Sequence, residues 1–562
     1  MIKTFKEEKL IYKLMTLGLI LGFIFFVAKV LNSVIIGYGY PREILEPANI
    51  ALTRSFLTDR VPYVLKSLDY EIPAINYEYP FIVSLLAAGI VKITGCEILL
   101  AHYILSIGAF LATGVLGYLF VKPYVKTTVA PIASAILFLM CHWRFGYISA
   151  APDDFGFFIF MLTLYLAINP KIKNKSLICA IMTTICFYTK QYFVFVALGI
   201  FVYMLLYSRK EALRLAIYTI VINVIAAIVV SIVWPLYWTY SLFFLYNGTF
   251  SGIGFGISSL VEQMKYLSAI FIGLFLVIAV AVVMSFVKKR KIQGDMAENT
   301  STNNMERTTR KNIIRNYVSK VKENNAFDLF IVEIPVMFIP LIFFGRNDGA
   351  FLSYFLQLWM PSIIVVTFII LERMVADNDK LVVALIYGAV AAFTILFGYL
   401  KLPFHTMTDA ELDEWKRAYA LVDEYRGEGH REIYYAPELA YLCFELDDTN
   451  IWCGHDGEVS EVGLATLESS PIWRKLFPYA EAIIRKNMEY NNMLSLKGYE
   501  YWYSLITFQE GHSMNFAEEY IDNGDYPYKF LDRITLVTGN MPYEVSFYVP
   551  IESEWYWFFM GI

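Results

Sequence analysis

Eleven apolar runs spaced along the first 400 residues decide what this chain can fold into. They lie at roughly 14–36, 98–120, 128–142, 155–169, 176–189, 191–207, 213–236, 264–287, 327–345, 352–371 and 380–400. A helix of about 20 apolar residues crosses a bilayer core, and most of these runs approach that length. The 562 residues are 57% hydrophobic and 17% charged, with a mean hydropathy of +0.51. Soluble domains carry about 25% charged residues, so a soluble cytoplasmic enzyme and a disordered chain are both excluded. A net charge of -5 attracts no polyanion, and no nucleic-acid partner is expected. The fold expected is a polytopic α-helical membrane protein whose partner is the lipid bilayer.

Charge orders the runs. The N-terminus is basic (Lys3, Lys6, Lys9, Lys13) and leads into an apolar run too long for a signal-peptide core. It reads as a retained first span with the N-terminus in the cytoplasm. A twelfth apolar stretch, 79–94, is shorter and carries Lys92. If it spanned, the basic loops at Lys122/Lys126, Lys171/Lys173/Lys175, Arg209/Lys210/Arg214 and 288–291 would all face outward, against the preference of basic loops for the cytoplasm. Placed in the interface, it returns every one of them to the inside. The stretch is therefore expected as a juxtamembrane helix within a first outer loop, 37–97. The whole is then about eleven transmembrane helices in a multi-pass plasma-membrane module, 1–400, with a cytoplasmic linker at 288–326.

From about Leu402 the composition turns polar. Strand-like runs (433–435, 451–453, 534–538) alternate with helix-like ones (411–425, 481–490), which predicts an extracytoplasmic α/β domain over 401–562. Its aromatic end (Tyr548, Trp555, Tyr556, Trp557, Phe558, Phe559) suits glycan stacking, a return to the interface or a core strand. Cys443 and Cys453 would meet an oxidising space, where a disulfide is open to them. Cys96, Cys141, Cys179 and Cys186 lie in apolar stretches as packing residues. No cysteine spacing matches a zinc site.

Chemistry-bearing residues gather in the outer loops. Glu43 and Glu46 follow the first span, where a carboxylate can act as general base on an acceptor hydroxyl; a helix-start acid is the plainer alternative. Asp153 and Asp154 open the fourth span beside His142 and Arg144. One aspartate suffices to cap a helix, so a pair there is also a candidate for orienting a sugar hydroxyl or holding a divalent metal such as Mg or Mn. Lys190, in FYTKQYFVF, is a lone cation on the outer side between two apolar spans. It suits the phosphate of a lipid-linked leaving group, or it snorkels to the headgroups. Arg346 is a second phosphate candidate, and Arg54 and Arg60 are further ones. The loop 246–256, YNGTFSGIGFG, lacks the lysine and serine of a nucleotide cradle. Nucleotide sugars are cytoplasmic, so an outer-face transferase needs a membrane-borne, pre-activated donor. A polyprenyl-phosphate sugar meets that need.

The order of these features resembles the C-type (GT-C) lipid-phosphate-dependent glycosyltransferases, in the bacterial branch of the aminoarabinose transferases and protein O-mannosyltransferases. The pieces that carry the resemblance are ILEPANIALTRSFLTDRVPY, NYEYPFIVSLLAAGIVKITG, APDDFGFFIFMLTLYL, FYTKQYFVF and SYFLQLW, within residues 37–365. The resemblance implies a membrane module with juxtamembrane helices in the first outer loop, then an outer C-terminal domain. It implies that the acid after the first span, Glu46 or its neighbour Glu43, is the catalytic base or its organiser. The second-loop acid is then Asp153 or Asp154, and Lys190 lies near the donor phosphate. The function expected is inverting transfer of a sugar from a polyprenyl-phosphate donor to a glycan, lipid or protein hydroxyl. A lipid-linked glycan transporter or flippase, which needs charges along a path through the bilayer centre, and a non-catalytic membrane scaffold are the alternatives.

Overall fold

In the computed structural model the described residues are 9–40, 46–58, 60–69, 80–143, 148–244, 279, 326–344, 353–375, 380–400, 406–427, 432–435, 451–453, 461–486, 501–508, 528–538 and 541–550. The expected span 264–287 apart from residue 279, the linker before residue 326, Glu43, Arg144, Arg346, Cys443 and the aromatic end beyond Pro550 lie outside them.

The helices follow the apolar runs. They are α1 (Leu10–Ile36), α2 (Glu46–Leu57), α3 (Ile82–Thr94), α4 (Ile98–Val121), α5 (Val129–Trp143), α6 (Asp153–Ile168), α7 (Lys175–Thr189), α8 (Val196–Tyr207), α9 (Arg209–Val233), α10 (Ala326–Phe344), α11 (Ser353–Val375) and α12 (Lys380–Leu400). Three described helices, Leu10–Ile36, Ile98–Tyr124 and Arg209–Val233, are by themselves long and apolar enough to cross a membrane. A face of α9 is bare and apolar, with Leu213, Ile220, Val224, Ile228 and Ile232 exposed. Lipid, not water, is the solvent for such a face.

One expectation is met in length and one changes in detail. The stretch 79–94 contains a 13-residue helix, α3, about 20 Å long and short of a bilayer core. It packs on α2, α4 and α7. The run 191–207 is not one α-helix. A 3-10 turn, Gln191–Phe195, precedes the 12-residue α8. Lys190 interrupts the helix because its backbone is extended (φ -157°, ψ 128°), which begins a new segment in a new direction.

Contacts assign the loops to two opposite ends of the bundle. At one end, Tyr38 donates its hydroxyl to Glu97 at 2.5 Å, and the backbone N–H of Leu236 reaches Tyr63 O at 3.0 Å. At the other, Thr16 meets Thr128 at 3.0 Å, the N–H of Lys126 reaches Glu372 at 3.1 Å, and the N–H of Ala326 reaches the Tyr124 hydroxyl at 2.7 Å. The first loop and the basic loop 122–128 thus occupy different ends, as the charge alternation requires. Close packing sets the walls between helices. A Cβ on Gly117 of α4 would stand 2.6 Å from Phe138 of α5. Gly117→Leu is therefore expected to lower the thermal midpoint by several degrees, read by unfolding in detergent micelles, since overpacking destabilises by about 1–3 kcal/mol.

The polar C-terminal third carries α13 (Asp409–Gly427), two shorter helices (Glu461–Ser469, Pro471–Leu476), a helical stretch at 480–486 and a five-stranded sheet. The strands are β1 (Glu432–Tyr435), β2 (Ile451–Cys453), β3 (Tyr501–Phe508), β4 (Tyr528–Thr538) and β5 (Met541–Pro550), in the spatial order β2-β1-β3-β5-β4. β1 pairs in parallel with β2 and β3, while β5 runs antiparallel to β3 and β4. Strands β3 and β5 were not expected from the runs read above. Trp415 of α13 is fully buried and donates its indole N–H to Val537 O at 3.0 Å. On its other side it meets Tyr40, just after α1, with ring centroids 5.9 Å apart. Tyr419 stacks on Tyr40 and donates to Gly39 O at 3.1 Å.

Candidate functional site

Glu46 is the first residue of α2 and is fully buried. The partial positive charge of a helix N-terminus favours a carboxylate there. Its Oε1 accepts the backbone N–H of Ala150 at 3.0 Å and the hydroxyl of Tyr103 at 3.4 Å. The first bond joins Glu46 to the loop that leads directly into α6.

That helix opens on Asp153 and Asp154, but neither is its cap. Pro152 holds the N-cap position, and no side chain makes the capping bond. The carboxylate of Asp153 turns to tertiary partners instead. Its Oδ2 lies 2.8 Å from Lys190 Nζ, with the two side chains 8% and 2% exposed. Its Oδ1 accepts the hydroxyl of Tyr192 at 3.0 Å. Asp154 is equally buried and leaves α6 about 100° further round. A lysine so deeply buried is tolerated only with an opposite charge close by, so Lys190 neither snorkels nor stands alone.

The Lys190 turn is tied down on three sides. Thr189 donates to Ile185 O within α7 at 2.8 Å. Gln191 donates its amide to Ser241 O at 3.0 Å, binding the turn to the segment after α9. Phe193 packs against α6, where a Cβ on Gly156 would fall 2.2 Å from its ring. Only glycine lets the turn come this close, one turn of helix beyond Asp153. Gly156→Ala is expected to push the two segments apart and loosen the Asp153–Lys190 pair. Thermal unfolding of the purified variant should show a lower midpoint, while an unchanged midpoint would contradict this packing.

The structure thus brings Glu46, Asp153 and Lys190 to one end of the bundle, from three separate segments. Arg54 and Arg60 lie further along the same first-loop segment. Arg54 is half-buried in the last turn of α2, about 12 Å along the axis from Glu46, and Arg60 follows the helix. Three contributors escaped the sequence reading. Tyr192 sits two residues past Lys190 inside the quoted motif and had a signal. Tyr103, within an apolar span, and the N–H of Ala150 had none. An aromatic cluster packs around Leu52 of α2 and Tyr188 of α7, with Phe81 on Trp234 at 4.4 Å and Tyr63 on Tyr237 at 5.4 Å. Phe477 of the C-terminal third reaches the same cluster through Phe243 at 5.5 Å.

The donor set does not suit the divalent metal considered for Asp153 and Asp154. Both oxygens of Asp153 already serve a cation and a hydroxyl, and a second cation there would face Lys190. Among the described residues no three His, Cys, Asp or Glu side chains group as ligands.

Comparison with family models finds no match, and neither does comparison with curated proteins. Among solved structures the chain is similar to ArnT from Cupriavidus metallidurans in two states. Against the form bound to undecaprenyl phosphate, the TM-score is 0.50 at 10% identity, over 93% of this chain and 97% of that one. Against the apo form it is 0.51 at 12% identity, with the same coverage. ArnT is a GT-C glycosyltransferase, and the likeness at this identity is one of fold. The chain shares the overall fold of that protein, and three of its described helices are long and apolar enough to cross a membrane.

Proposed function

We propose that this chain is a membrane glycosyltransferase that moves a sugar from a polyprenyl-phosphate donor to an acceptor hydroxyl, with inversion, on the outer face of the plasma membrane. The observation that carries the reading is the meeting of Glu46, Asp153 and Lys190 at one end of a GT-C fold. The ArnT structure bound to undecaprenyl phosphate supports a lipid-phosphate donor by analogy of fold.

In this mechanism Glu46 takes the proton of the acceptor hydroxyl. The freed oxygen attacks the anomeric carbon as the bond from that carbon to the phosphate oxygen breaks on the opposite face. The bonding pair leaves on the phosphate, and polyprenyl phosphate departs with one more negative charge. Lys190 stabilises that charge as it develops. A cation already fixed in a site of low dielectric contributes more to such a step than one in water. Asp153 and Tyr192 hold the ammonium in place between turnovers. Glu46 is fixed through Ala150 to the same loop, so base and cation share one frame. The C-terminal third, which touches the aromatic cluster, shapes access for the acceptor.

Reconstitution into liposomes tests the reading. The protein is offered a panel of labelled polyprenyl-phosphate hexoses and pentoses, with native lipid and glycan extract as acceptor. Consumption of one donor with release of polyprenyl phosphate is the expected result. If no donor is consumed and glycolipid instead moves between leaflets, the transferase reading falls and the transporter takes its place.

A further inference from the structure

We propose that His102 is a positioning residue for the transfer, setting the rotation of α2, and with it the place of Glu46, through Thr53. The inference rests on the reading of Glu46 as the base. His102 and Tyr103 are neighbours near the start of α4. Tyr103 meets Glu46, and His102 Nε2 meets the Thr53 hydroxyl at 2.7 Å. Glu46 and Thr53 are seven residues apart, two turns along one face of α2, so the two contacts fasten that face at both ends.

The bond is directional. Thr53 spends its single proton on Asn49 O at 2.9 Å, one turn back in α2. Nε2 therefore carries the imidazole proton and donates to Thr53. The opposite tautomer would leave an N–H at Nδ1, an atom that makes no hydrogen bond in this buried position, and a buried donor without a partner is the costlier error. Asn49 O also accepts from Ser84 of α3 at 3.3 Å. Histidine, threonine, asparagine backbone and serine thus form one chain across α4, α2 and α3. His102 is 1% exposed, and Thr53, Asn49 and Ser84 are fully buried.

Ile50, Ala51 and Leu52 of α2 are buried beside this chain. Apolar burial is non-directional and does not fix how a 12-residue helix is rolled in its groove. A polar chain of this kind does. Rolling α2 would swing Glu46 away from the Ala150 N–H and from the acceptor hydroxyl.

The test compares steady-state turnover of the full-length protein in liposomes for wild type, Thr53→Val, His102→Leu and His102→Gln, with Thr53→Val repeated on a Glu46→Gln background. Valine matches threonine in shape and removes only the hydroxyl. Glutamine returns an amide near the Nε2 position. Misplacement of a reacting group by about 1 Å costs up to about 100-fold, so Thr53→Val and His102→Leu should lower kcat by about 10- to 100-fold. The donor KM should stay within about twofold, since ground-state binding is untouched. His102→Gln should recover most of the rate. On the Glu46→Gln background, Thr53→Val should cost nothing further. An equal loss on both backgrounds, a change in KM alone, or His102→Gln behaving like His102→Leu would each overturn the proposal. If Glu46→Gln is inactive while Thr53→Val is fully active, the positioning role fails and the base survives. If Glu46→Gln retains the full rate, the base reading itself fails. Should His102→Leu not fold, Thr53→Val carries the test alone.

Discussion

Glu46→Gln is expected to lower sugar transfer by about 10²–10⁴-fold, the usual worth of a positioned general base. The substitution isolates the proton. Glutamine has the same shape, and its amide oxygen still accepts the N–H of Ala150 and the hydroxyl of Tyr103. Folding and donor binding are therefore retained, and the loss should appear in kcat. Single-turnover assays with labelled donor separate the chemical step from product release. Retention of more than about a third of the wild-type rate would remove Glu46 from the mechanism, because acid–base roles are not worth so little.

The second large effect belongs to Lys190, and it has two components. Lys190→Ala removes the cation that meets the leaving phosphate, a loss of about 10²–10³-fold if it resembles other preorganised electrostatic groups. It also strands the buried carboxylate of Asp153. Breaking a buried pair from one side destabilises by about 3–5 kcal/mol, so inactivity of Lys190→Ala alone is ambiguous. The double variant Asp153→Asn with Lys190→Met resolves it. Both charges of the pair go, neither partner is left stranded, and the thermal midpoint should return towards wild type. Turnover should stay as low as in Lys190→Ala. Full activity in that double variant would show that the pair is structural and would end the phosphate role.

Much of the frame was legible because two simple forces write it. Apolar length sets which segments become membrane helices, and the preference of basic loops for one side set the alternation. Together they kept 79–94 from being read as a span, and the structure has only the short α3 there. The acids and the lysine were legible as charges in places where charge is unusual. Their pairing was not. Asp153 and Lys190 are 37 residues apart, and tertiary packing, such as that of Gly156 against Phe193, draws their segments together. The helix-cap reading of Asp153 failed for a local reason: Pro152 already occupies the cap, which frees the carboxylate for a distant partner. Tyr103 and His102 were invisible because polar atoms inside an apolar run average away in any window that finds the run. In the C-terminal third, strands β1 and β2 and part of β4 were foreseen from β-branched and aromatic clusters. The hydroxyl and acidic residues within β3 and β5 blurred theirs.

The stack of Tyr40 on Trp415 and Tyr419 makes the C-terminal third a poor candidate for exchange. Five residues separate Tyr40 from Glu46. Trp415 joins Tyr40 on one side and strand β4 on the other, through Val537. Trp415 therefore links the sheet to a residue six positions before the proposed base. A hybrid that grafts the corresponding part of another transferase after residue 400 would keep its transmembrane helices intact. Without aromatic partners for Tyr40, however, it would lose the anchor at the N-terminal approach to α2. A hybrid that keeps this anchor is therefore expected to need both crossovers, one before Gly37 and one after residue 400, with the first loop and the C-terminal third exchanged together.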